Sequence, residues 1–293
     1  MNVTQKNKQT NLFLLTLASV IMSVLFSVLG APFLRALSVS VKPIVFWTAG
    51  LLLTTALFAQ DMTLISIYIG AIWMTLGTYS ELEKRGVNWK QAGLFSLISG
   101  LVFAMATLSL VNRFFIEKNV ILEFLNPLQT AMNKAFPEDP IEVSALANYL
   151  PGIFAATLFV SLALGFILES KINKLFHIQR TKVASGLRWL EFRLPDAFIW
   201  ISLFAGFFSL VSFNQELLQK ISLNIVILSA VAYFFQGLVV TEFLTRAFRV
   251  GSFSKTILYF VIFLQLAPAL ILFGLIDYWV DFRKRVRKKI KAN

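Results

Sequence analysis

Charged side chains are scarce in this chain, and those that could do chemistry gather in a few places. Asp277 and Asp281, in the stretch GLIDYWVDFRKR, lie four residues apart and share one face if that stretch is helical. Two carboxylates so placed repel each other, so a cation is expected beside them, with Arg283, Arg285, Arg246 and Arg193 as candidates. Glu242 and Arg246 have the same spacing and suit an ion pair along one helix. In FRLPDAF, Arg193 precedes Pro195 and Asp196, and Asp196 reads as the N-cap of the apolar run that follows. Arg193, Asp196, Glu242, Arg246, Asp277, Asp281 and Arg283 thus form an expected interfacial charge network. Three uncharged amides, Asn224, Gln236 and Gln265, stand inside apolar runs. Such groups either line a ligand site or hydrogen-bond a neighbouring helix.

Most catalytic chemistry is excluded by composition. There is no Cys, which removes thiolate nucleophiles, disulfides and Cys-bound metals. The single His, His177, lies in a basic stretch and lacks the companions of a triad or a His-based metal site. Two carboxylates at 277 and 281 are thin support for a metal. No GxxxxGK[ST] loop is present, so the chain carries no phosphate-binding loop of an ATPase. No catalytic residue, cofactor or metal is expected, and the chain is read as not an enzyme.

These residues must be held by apolar elements. Of 293 residues 57% are hydrophobic and only 14% charged, against about 25% charged in a soluble domain. The excess apolar surface needs lipid. Eight apolar segments emerge, at 12–34, 44–59, 62–79, 92–112, 150–168, 197–213, 221–241 and 256–276. Without water, backbone groups must pair within each segment, so the segments are helices. The reading is all-α, a polytopic membrane protein with about eight transmembrane helices in one domain over 1–293. The first segment is too long for a signal peptide's apolar core and is taken as a retained span. None of the eight contains an ionisable side chain, which weakens an ion-coupled carrier. Along the fourth, Ala92, Ser96, Gly100 and Ala104 make a small-residue stripe that predicts close helix packing.

The connections differ in character. The stretch 113–149 has apolar residues at helical spacing, and Asn126-Pro127 reads as an N-cap followed by Pro at the first helical position. It is expected either to lie on the membrane surface or to form a lid on the spans. The stretch 169–196 is basic and carries Trp189, as cytoplasmic connections do. The net charge of +12 comes from such connections and from 283–293, where seven of the nine residues from Arg283 to Lys291 are basic. This pattern suits anionic lipid rather than nucleic acid. The basic stretches 80–91, 169–196 and 242–255 and the tail are all expected inside, yet one crossing by 256–276 would separate 242–255 from the tail. Either one basic loop lies outside, or a segment does not simply cross, and Pro268 could break the last one into two half-helices.

LPGIF at 150–154, FRLPDAF at 192–198, the stretch from Asn224 to Gln236-Gly237, and Gly274-Leu275-Ile276-Asp277 with Trp279, Asp281, Phe282 and Arg283 together resemble the YybS-like family of bacterial membrane proteins. The resemblance covers most of the chain and is specific in its second half. It implies kinship with the substrate-binding S components of energy-coupling-factor transporters and with the cell-shape protein MreD, and hence an S-component-like core. It assigns no ligand-binding residue. Two functions follow as expectations. One is a solute-binding or transport subunit that relies on partner proteins for ATP, with Gln236, Asn224 or Gln265 lining its pocket. The other is a scaffold in envelope or cell-shape assembly, working through basic loops and tail. Both belong in the bacterial cytoplasmic membrane, with the tail cytoplasmic, anionic lipid beside it, and membrane proteins as partners.

Overall fold

A computed structural model describes residues 3–114, 120–135, 142–178, 189–211 and 215–292. Every regular element among them is helical, as the apolar runs require. The protein is a polytopic α-helical membrane protein with several apolar helices. Among the described residues, four helical stretches are long and apolar enough to cross a bilayer: Gln9–Ser40, Trp89–Arg113, Leu146–Leu175 and Glu216–Ala247. The eighth apolar segment is a bent pair, and Pro43–Ala59 and Asp196–Leu210 are shorter apolar helices. The described residues fall into two compact units, Met1–Gly186 and Leu187–Asn293.

In the first unit, α1 (Val3–Phe26) passes through a tight turn at Ser27–Gly30 into α2 (Ala31–Ser40). The others are α3 (Pro43–Ala59), α4 (Thr63–Lys84), α5 (Trp89–Phe114), α6 (Val120–Ala135) and α7 (Val143–Leu175). The ten-residue α2 is buried along almost its whole circumference, because α1, α4 and α7 pack around it. Trp73 is enclosed beneath Gly50 and donates its indole N–H to the Phe46 carbonyl at 3.1 Å. A buried Trp needs such an acceptor.

The small-residue stripe on α5 does what its spacing predicts. Ala92, Ser96, Gly100 and Ala104 are all buried, and a Cβ on Gly100 would lie 2.0 Å from Thr75 Oγ1 of α4. Two sequence expectations need correction. Pro127 does not open a helix but lies inside α6, which starts at Val120. Apolar spacing from Ile121 onward outweighs the single backbone bond that Pro removes. The connection after the fifth segment begins later than 169, because α7 runs to Leu175. Its charged residues Glu169, Lys171 and Lys174 are therefore helical. His177 caps that helix with a left-handed φ of 51° and is exposed. Arg180, Lys182 and Arg188 of the basic connection, and residues 136–141, lie outside the described residues. Within 113–149, α6 packs on α7 and α4 with Leu125 fully enclosed.

In the second unit, α8 (Asp196–Leu210) and α9 (Glu216–Ala247) run antiparallel. The register follows from Leu194 against Gln236, Phe198 against Tyr233 and Ser202 against Ser229. Two half-helices, α10 (Ser252–Leu264) and α11 (Ala267–Val280), meet at a bend of 103°, followed by α12 (Phe282–Ala292). Pro268 falls in the first turn of α11, so the expected break is present. Helices α9 and α11 cross at Gly237 and Gly274. A Cβ on Gly274 would lie 2.1 Å from the Tyr233 carbonyl oxygen, and one on Gly237 would lie 2.2 Å from that of Leu270. Gly274→Val is therefore expected to push the helices apart and lower stability by about 3 kcal/mol, as overpacking does. Thermal unfolding in detergent checks this. Gly206→Val is the control, since a Cβ there meets nothing within 4 Å.

Candidate functional site

The first unit holds a polar cluster that the sequence reading did not find. Arg35 of α2 is fully buried. Its Nε donates to Glu169 Oε2 of α7 at 3.1 Å, its Nη1 to Ser80 Oγ of α4 at 2.6 Å, and its Nη2 to Glu83 Oε2. The guanidinium also lies 5.0 Å from the Tyr79 ring centre and 5.3 Å from that of Phe166. Three helices thus meet on one cation. Gly165 of α7 permits the approach, because a Cβ there would already touch Arg35 Cβ at 3.3 Å. Ser38 hydrogen-bonds Ser80 beneath the guanidinium, and Lys84 Nζ donates to the Ser38 carbonyl at 3.0 Å.

Asn173, one turn beyond Glu169, completes the cluster. Its Nδ2 points at Glu169 Oε1 at 3.5 Å, while its Oδ1 is buried and has no hydrogen-bond partner among the described residues. The orientation is fixed by charge, since a flipped amide would set oxygen against carboxylate. An acceptor in this position suits a hydrogen-bond donor or a cation.

Why the sequence hid this cluster is plain. Arg35 stands one residue past the segment 12–34, Glu169 one residue past 150–168, and Glu83 four residues past 62–79. Each segment ends at or before its first charge, yet the helices continue. Arg35 and Glu169 lie within the crossing stretches Gln9–Ser40 and Leu146–Leu175. The expectation that the spans are free of ionisable groups is corrected accordingly. The missed signal was a lone charge within one helical turn of an apolar run.

In the second unit the expected charge network resolves into separate pairs. Asp277 is fully buried at the end of α11. Its Oδ2 accepts from Arg283 Nη2 at 2.9 Å and its Oδ1 from the Phe282 backbone N–H at 3.1 Å. Arg283 also donates to the carbonyls of Phe192 at 2.8 Å and Leu190 at 3.4 Å. Asp281 ends α11 in the left-handed conformation, φ 46°, and accepts from Arg193 Nη1 at 3.2 Å. Its change of direction sends the two carboxylates to different cations. Glu242 is buried and accepts from Arg246 at 2.7 Å, Lys255 at 2.6 Å and the Tyr259 hydroxyl. Local spacing gives no sign of Lys255 and Tyr259, which stand 13 and 17 residues from Glu242. Asp196 is exposed as the first residue of α8, with Pro195 rather than itself in the N-cap position. Its carboxylate faces the positive end of the helix dipole.

The three amides do not converge. Gln236 is buried, with Oε1 accepting from the Leu194 N–H at 3.0 Å and Nε2 donating to the Gly274 carbonyl at 3.0 Å. It ties α9, α11 and the residues before α8 together. Asn224 donates to the Lys220 carbonyl of its own helix at 2.7 Å. Gln265 is exposed at the bend between α10 and α11.

Residues 139–278, which is 140 of 293 residues, match the model of a family described as "Predicted membrane protein (DUF2232)". The matched stretch takes in LPGIF, FRLPDAF, Gln236-Gly237 and Gly274 to Asp277. Comparison with curated proteins gives no match, and neither does comparison with solved structures. By this similarity and by its apolar helices, the chain is a multi-pass protein of a lipid bilayer.

Proposed function

We propose that the chain is a non-enzymatic membrane subunit that binds a solute or ion within its first unit, in the manner of an energy-coupling-factor S component without its own ATPase. One observation carries this reading. Arg35, Glu83, Glu169 and Asn173 meet between α2, α4 and α7, and Asn173 Oδ1 is buried there with no hydrogen-bond partner among the described residues. Ionisable groups in membrane helices are costly and mark ligand or ion paths. In this reading the ligand contact moves from Gln236, Asn224 and Gln265 to the first unit, since the Gln236 amide is occupied at both ends by protein groups.

A second reading, a scaffold in envelope or cell-shape assembly, is favoured by the second unit. There the polar side chains bind one another and the exposed cations are left facing outward. Under both readings the protein sits in the bacterial cytoplasmic membrane with its basic tail on the cytoplasmic side, against anionic lipid.

Native mass spectrometry of the gently extracted protein tests the choice. A small molecule or ion retained by the natural chain and lost from Asn173→Leu is the expected result. Retention unchanged by that substitution removes the proposed site. Envelope-assembly proteins that co-purify, and that leave on deletion of residues 283–293, favour the scaffold.

A further inference from the structure

The contacts of the second unit bring three places to one end, the residues before α8, the corner after α9 and the start of α12. Gln236 meets Leu194, so the start of α8 lies beside the later half of α9. Glu242 bonds Lys255 and Tyr259, so α10 leaves from the same end. Arg193 bonds Asp281, Arg283 bonds Phe192, and Arg287 lies 5.3 Å over the Phe243 ring, so α11 returns to that end and α12 begins there. The pair α10–α11 therefore goes out and back. With 13 and 14 residues, its arms span only about 20 Å each, short of a hydrocarbon core of about 30 Å. The parity conflict between 242–255 and the tail disappears.

From this geometry we infer that α10–α11 is a re-entrant pair, and that the corner at 248–251 and helix α12 form one continuous cationic face that binds anionic phospholipid headgroups. The inference rests on the lipid-facing tail proposed above and extends that tail to a shared face. Charge complementarity carries it. Asp277, Asp281 and Glu242 are all bonded to protein cations. Arg249, Lys284, Arg285, Arg287 and Lys288 remain exposed, against the exposed carboxylates Glu191 and Asp196 at that end. Arg249, just past the end of α9, has a left-handed φ of 53° and is exposed. Trp279, 56% exposed, and Phe253, 79% exposed, lie next to these cations as interface residues do.

Because the chain has no native Cys, single-cysteine labelling reads the topology directly. In sealed vesicles, Arg249→Cys and Lys288→Cys are expected to react with a membrane-impermeant maleimide from the same side. Glu216→Cys, at the far end of α9, reports the sidedness of the vesicles. Labelling of positions 249 and 288 from opposite sides overturns the re-entrant pair. The lipid arm uses nanodiscs of equal phosphatidylglycerol and phosphatidylcholine, with bound lipid counted by native mass spectrometry. Arg249→Gln is expected to lower the phosphatidylglycerol preference about fivefold, and Lys284→Gln with Arg285→Gln and Lys288→Gln to lower it further. Loss in the tail variant alone overturns the shared face but leaves the lipid-bound tail standing. No loss in either variant overturns both.

Discussion

Arg35→Met is expected to destabilise the first unit by about 3 to 5 kcal/mol, the range for breaking a buried ion pair from one side. The methionine fills most of the volume but removes the donors to Glu169, Ser80 and Glu83. Glu83 and Glu169 are at most 7% exposed, so two carboxylates would have to stay charged without Arg35 or draw water into the bundle. Denaturant unfolding of the purified protein measures the effect. The triple change Arg35→Met, Glu83→Gln and Glu169→Gln is expected to recover much of the loss, because it removes the buried charge as well as its partner. A loss under about 1 kcal/mol for Arg35→Met would mean that both carboxylates reach water unaided, as exposed pairs do.

Arg283→Leu is the corresponding change in the second unit, with a similar expected loss of about 3 to 5 kcal/mol. Asp277, with no exposure at all, would keep only the Phe282 N–H and the distant Gln236 amide as donors. The carbonyls of Leu190 and Phe192 would also lose Arg283 as a donor. Proteolysis near 189–195 should therefore rise together with the loss of global stability. Adding Asp277→Leu to Arg283→Leu is expected to restore unfolding stability more than it restores protection at 189–195, because the two carbonyls still lack Arg283. Arg285→Leu, at an exposed position two residues on, should change neither. If Arg283→Leu and Arg285→Leu behave alike, the Asp277 pair is not what fastens α12.

The two clusters differ in how far the sequence revealed them. The second was legible because its spacing is local. Asp277 and Asp281 demanded a cation, and Arg283 and Arg193, both among the candidates, supply it. Glu242 and Arg246 pair as their i,i+4 spacing predicts. What local spacing could not give is the left-handed turn at Asp281, which separates the two carboxylates. The first cluster was illegible because its partners stand 48 and 134 residues apart and no periodicity links them. Ending each apolar segment at its first charge concealed it further. Helix packing was readable wherever small residues repeat, as on α5. The crossing at Gly237 and Gly274 was not, because a single glycine on each helix makes no pattern.

The enclosure of Arg35 has a consequence for how the protein is made. Arg35 is synthesised before every group that neutralises it. At about 5 to 20 residues per second, Glu169 follows roughly 7 to 27 seconds later, being 134 residues downstream. Throughout that interval a guanidinium on a short apolar helix has no carboxylate from α7, and lipid offers it none. Helices α1 and α2 must therefore wait beside water or the insertion machinery until α4 and α7 arrive. Seating of α2 in this unit is therefore expected to follow the synthesis of α7, the last helix that Arg35 binds.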